Sequence, residues 1–93
     1  MINTLIDQLA TLAKQNAEVE GWSLETALKH HEVELEENPS PENLADVLWL
    51  QAANGYPYEV PIMSEAIAQK VTERLQQLQQ RLETTGSLLS NHV

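Results

Sequence analysis

From Ala68 onward the apolar residues fall in a three-four rhythm: Ala68, Val71, Leu75, Leu78 and Leu82, with Leu89 seven residues further on. This spacing puts them on one stripe of an α-helix and excludes a strand, whose side chains repeat every two residues. A stripe of that length must be covered, so the rest of the chain has to supply apolar faces for it. The rhythm predicts a helix from about Ile62 to Thr85, its start placed near Ile62 or Ser64 and its end at Gly86. The stripe's flanks hold Ile67, Arg74 and Arg81 on one side and Thr72 and Gln79 on the other. An antiparallel pair of such helices would set arginine against arginine, and a parallel pair would set arginine against Thr or Gln. We therefore expect helix four to pack within its own chain, with Arg74 and Arg81 near Glu34 or Glu37.

The remaining segments supply three further helices. Residues 2–20 carry Ile2, Leu5, Ile6, Leu9, Leu12, Ala13 and Ala17 at helical spacing, with Asn3 or Thr4 as candidate caps and Gly21 as the stop. Ser23 caps a second helix over 23–37, whose stripe is Leu24, Ala27, Leu28, His31 and Leu35. It ends at Asn38-Pro39. Ser40-Pro41-Glu42 starts a third helix over 41–54, because Ser caps, Pro suits the first helical position and Glu meets the positive end of the helix dipole.

Helix three is apolar around most of its circumference, with Leu44, Ala45, Val47, Leu48, Trp49, Leu50, Ala52 and Ala53 diluted only by Asn43, Asp46 and Gln51. Such a helix is buried on several sides. In 93 residues that is hard to arrange. We therefore expect one flank, with Trp49 or Leu50, to meet a partner chain, a homodimer being one form. Gly55 to Pro61 contains two prolines and reads as a semi-rigid connector. Its Tyr56 and Tyr58 are lids on the core or part of a contact surface.

The fold expected is a single all-α domain over 1–93: a small four-helix bundle, antiparallel or slightly irregular, with a short tail at 86–93. The links at Gly21 and Pro39–Ser40 imply hairpin neighbours. The tail is expected to fray or to fold back through Leu88 and Leu89.

Charge is distributed unevenly. Residues 1–60 hold eleven acids against Lys14 and Lys29, whereas residues 61–93 are neutral and the whole chain is −9. This opposes direct binding to nucleic acid or an anionic membrane and favours a basic protein partner or simple solubility. No run is long enough to span a membrane. The first residues lack the basic region of a signal peptide, and there is no cysteine, so a cytoplasmic setting is expected.

Chemistry is thinly represented. His30 and Glu34 stand one helical turn apart and could share a metal ion. His31 points about 100° away, and the second histidine of a zinc-protease motif is replaced by Leu35. The other histidine, His92, lies in the tail. No cofactor or catalytic constellation is expected: the serines sit at caps or in the tail, and the three glycines follow helices rather than forming a phosphate loop. The run Glu32 to Glu37, with Glu42 and Asp46, could imitate a phosphate backbone and occupy the basic groove of a nucleic-acid-binding protein. The leading expectation is a non-enzymatic interaction module, an adaptor, assembly factor or regulator. Its expected partner-binding residues are Trp49, Leu50, Tyr56, Tyr58, Glu34 and Glu37. The acidic mimic and a metal function at His30/Glu34 are the alternatives.

Overall fold

The computed structural model describes residues 2–85. Among these are four helices: α1 (Ile2–Glu20), α2 (Leu24–Glu37), α3 (Pro41–Ala53) and α4 (Glu65–Thr85). The described chain is a small all-α four-helix bundle. Its longest extent is 36 Å, close to the ~31 Å that α4 alone supplies at 1.5 Å per residue. The expectations for Gly86, Leu88, Leu89 and the tail lie outside the described residues.

The caps fall largely where the residue types place them. The Ser23 hydroxyl accepts the Thr26 N–H at 3.2 Å, and the Ser40 hydroxyl accepts the Asn43 N–H at 3.1 Å. Both satisfy a donor that the first helical turn leaves open. Gly21 and Gly55 take the left-handed conformation, with φ of 68° and 78°. This lets the chain close each helix by a bond back to the last turn, from Trp22 N–H to Ala17 C=O and from Tyr56 N–H to Gln51 C=O, both 3.0 Å.

Two boundaries differ from expectation. Asn3 and Thr4 lie inside α1 and do not cap it. Of the two starts expected, Ile62 lies outside the fourth helix and Ser64 adjoins it: the helix begins at Glu65 because Ser64 accepts the Ile67 N–H on its hydroxyl and the Ala68 N–H on its carbonyl. Pro61 also biases the residue before it away from helix. Ile62 is left fully exposed.

The centre of the bundle is α3, not α4. It packs against all three other helices, whereas α4 packs against α1 and α3, and α2 packs substantially only against α3. The short link at Gly21 therefore makes a corner, and α1 and α2 are not the hairpin pair expected. The link at Pro39–Ser40 does make one. Asn54 at the end of α3 donates to the Leu24 carbonyl at the start of α2, and Asn43 donates to the Asn38 carbonyl at the other end. The connector then returns beside α1, where the Tyr58 hydroxyl reaches Asp7 at 2.7 Å. Fully extended, Tyr56 to Ser64 can cover roughly 30 Å, enough to carry the chain back. As a result α4 runs in the same direction as α1. Ile2 lies with Ala68 and Thr72, Gln8 with Gln79, and Leu12 with Leu82.

The core is closed by this one chain. Trp49 is 3% exposed and Leu50 is 0% exposed. Around them pack Ile6, Leu9 and Ala13 of α1, Ala27 and Leu28 of α2, and Val71, Leu75, Leu78 and Leu82 of α4. The expectation that Trp49 or Leu50 faces a second chain is corrected. Three helices and the connector's Tyr58, Val60 and Met63 supply the cover that a partner was expected to supply. The ground for expecting dimerisation from α3 goes with it.

Candidate interaction surface

The one charged residue among the apolar positions of α3, Asp46, is buried to 3% exposure. A buried carboxylate is costly unless it is paired and hydrogen-bonded, and Asp46 is both. Arg74 of α4 donates from Nε at 3.0 Å and from Nη2 at 3.1 Å, one bond to each carboxylate oxygen. This is the two-pronged geometry a guanidinium is shaped for. The Trp49 indole N–H donates to the same carboxylate at 3.2 Å. Arg74 therefore does not seek Glu34 or Glu37, as charge alone suggested. Helix α4 packs on α3, and there the nearest unpaid carboxylate is Asp46.

His31 of α2 borders this cluster. Its Nδ1 is buried without a hydrogen-bond partner and lies 3.8 Å from Asp46 Oδ2. That is too long for a hydrogen bond, and Arg74 already holds the carboxylate. Burial lowers the His31 pKa below its ordinary value; His30 and Arg74 act the same way, against the opposing pull of Asp46 and Glu34. His31, Asp46 and Arg74, with Trp22, Trp49, Leu78 and Arg81, line a cleft of about 130 Å³ between α2 and α4. Small-molecule pockets begin at ~300 Å³. The cluster joins three helices and has the character of a fastening.

The other expected site residues are dispersed. His30 is exposed and its ring packs edge-on against His31, with centroids 5.3 Å apart. Among the described residues no group of three or more His, Asp or Glu side chains is placed to hold a metal ion. Glu34 is half-buried, and Glu32, Glu36 and Glu37 are exposed on α2. Asp46 leaves the acidic series altogether, since Arg74 and Trp49 occupy it. Tyr58 belongs to the fold: its half-buried ring packs on the core and its hydroxyl donates to Asp7. Burial and the Asp7 carboxylate raise its pKa. Tyr56 is exposed and reaches Glu25 at 3.3 Å.

The surface that sequence reasoning missed is the outer seam between α1 and α4. A furrow open to solvent follows it in three successive hollows. Ile2, Ala68 and Thr72 line the first, Leu5, Gln8 and Gln79 the second, and Leu12, Val19 and Leu82 the third. Leu5, Leu12 and Val19 recur every seven residues and form the outer edge of the apolar face of α1, where Leu5 and Leu12 still pack on the core. Leu5 and Leu12 are half-buried, and Val19 is 86% exposed. A signal was present. The apolar residues of α1 cover a wider arc than one core-facing stripe requires.

The charges of α4 are sorted across this seam. At about 100° per residue, Lys70, Arg74 and Arg81 fall on one flank, and Arg74 and Arg81 face the α2 cleft. Glu65 and Glu83 lie on the furrow side, and Glu73 stands at its outer lip, between them and the basic flank. No lysine or arginine lines the three hollows. A helix that is neutral in sum thus presents an acidic edge to the furrow.

Fold and surface together define a small acidic all-α bundle with a solvent-open furrow beside a closed core, and none of the described helices is long and apolar enough to cross a membrane. Compared with known proteins, the chain matches no protein family, no curated protein and no solved structure.

Proposed function

We propose that this chain is a non-enzymatic protein–protein interaction module, a small acidic adaptor, assembly factor or regulator. The observation that carries this reading is the α1–α4 furrow. Val19 is 86% exposed at one end of a heptad-spaced row whose other members, Leu5 and Leu12, are half-buried against the core and show only their outer edges to the furrow. Single exposed apolar residues need no explanation, but a row aligned along a groove is the usual form of a helix-docking surface. Trp49 and Leu50 belong to the core, and Tyr56 and Glu37 are exposed away from the furrow.

The test compares two baits in extracts of the source cells, the native chain and a Leu12→Glu/Val19→Asp variant. Val19 is exposed, whereas Leu12 packs on the core, so circular dichroism must show that the variant keeps its helical signal, and Val19→Asp alone replaces it where it does not. A protein retained by the native chain and lost from the variant supports the reading. Identical retention by both, or none by either, overturns it.

A further inference from the structure

Resting on the reading of the furrow as a docking surface, we infer that its occupant is a basic amphipathic helix of about five turns. The length follows from the furrow, which extends from Glu65 to Glu83 along α4, roughly 27 Å at 1.5 Å per residue. A helix of about 18 residues matches it. The apolar part of the match is set by Ile2, Leu5, Leu12 and Val19, which offer holes at three- and seven-residue intervals for knobs of similar spacing.

Charge decides the rest. Glu65, Glu73 and Glu83 edge the furrow, and the residues between them are mostly glutamines: Gln8, Gln15, Gln69, Gln76, Gln79 and Gln80. Glutamines can hydrogen-bond any occupant, but the glutamates select a cationic one. A second copy of this chain does not meet that demand. Pairing the furrow with itself would set three glutamates against three glutamates, with no lysine or arginine lining either side. The bases of α4 are held on the opposite flank, with Arg74 bound to Asp46.

The experiment uses the full chain and a fluorescent 18-residue leucine–lysine peptide with leucines at helical a and d positions. A scrambled peptide of the same composition and a leucine–glutamate peptide of the same pattern serve as controls. Binding is followed by anisotropy. The patterned basic peptide should bind at least tenfold more tightly than either control. A Glu73→Lys/Glu83→Lys variant should weaken it about tenfold or more, and so should Leu12→Glu. Glu73 and Glu83 are exposed, whereas Leu12 packs on the core, so binding is compared only between variants that keep the native helical signal and a cooperative thermal transition above the assay temperature.

Equal binding of the scrambled peptide, or indifference to Glu73→Lys/Glu83→Lys, overturns the inference. So does tighter peptide binding by a Leu88→Glu/Leu89→Glu variant, which would assign the furrow to the chain's own C-terminus. A sedimenting dimer that dissociates on Leu12→Glu would assign it to a second copy, with the same result. If the bait comparison above finds a furrow-dependent protein while the basic peptide fails, the interaction reading stands and the chemistry inferred for the partner falls.

Discussion

At the scale of single residues, Asp46 carries the sharpest consequence. Removing Arg74 leaves its carboxylate buried and two hydrogen bonds short, whereas removing both partners takes the problem away. Breaking one side of such a pair costs about 2–4 kcal/mol, and replacing both by apolar groups is often close to neutral. Arg74→Met should therefore lower urea-unfolding stability by that amount, and Asp46→Leu/Arg74→Met should recover most of it. An additive double variant would show that the two side chains act independently. His31 adds a pH dependence of definite sign. Its folded pKa is depressed by burial, so the unfolded chain takes up the proton first, near an ordinary imidazole pKa of about 6.5. The full contribution is present above that value and is lost as pH falls from it toward the folded pKa. The carboxylates also titrate lower down, so the observable is a difference. Between pH 7.5 and 5.5 the native chain should lose more stability than His31→Gln. Parallel curves would remove His31 as the source.

At the scale of elements, α2 is set apart by having one substantial neighbour. Only Ala27 and Leu28 of its residues are buried, and its last turn carries Glu34, Glu36 and Glu37 at the end of the helix where negative charge is unfavourable. Its amides should exchange with solvent by an opening smaller than global unfolding, ahead of those of α3, whose Ala45 to Leu50 are all buried. Hydrogen exchange read by mass spectrometry separates the cases, and equal protection of α2 and α3 would mean that they open together. This asymmetry was partly legible. The all-round apolar pattern of α3 announced a central helix, the Ser23 and Ser40 caps and the Gly21 and Gly55 stops announced the boundaries, and the Val71–Leu82 stripe announced a buried seam. Which helix covers which was not legible, because periodicity identifies a buried face without identifying its neighbour. Thus Trp49 and Leu50 read as surplus, while Asp46 read as a mere dilution of the pattern. A lone acid among apolar residues on all sides is better read as a buried charge that needs a base. The furrow escaped for a related reason: Leu5 and Leu12 were counted with the core stripe and Val19 was left out of it, and only the position of α4 shows that the three border one furrow.

At the scale of the whole molecule, charge acts on folding and on docking in opposite directions. The chain carries −9, with the exposed glutamates of α2 and of the furrow brought closer together than in the unfolded chain. Self-repulsion of this kind opposes the compact state. The screening length falls from about 30 Å at 0.01 M ionic strength to about 8 Å at 0.15 M. Over that range the repulsion between α2, the connector's Glu59 and the furrow edge is largely screened, whereas the buried Asp46–Arg74 pair is screened much less. Sodium chloride should therefore raise the unfolding midpoint across the interval. A falling midpoint would mean that attractive surface pairs outweigh the repulsion. The same salt should weaken the patterned basic peptide, because its attraction to Glu65, Glu73 and Glu83 is exposed and screened in full. A chain that grows more stable while its grip on a cationic helix loosens places the acidic edge of the furrow at the binding step. If stability and peptide affinity instead rose together with salt, docking would be driven by the apolar row alone, and the glutamates would be bystanders.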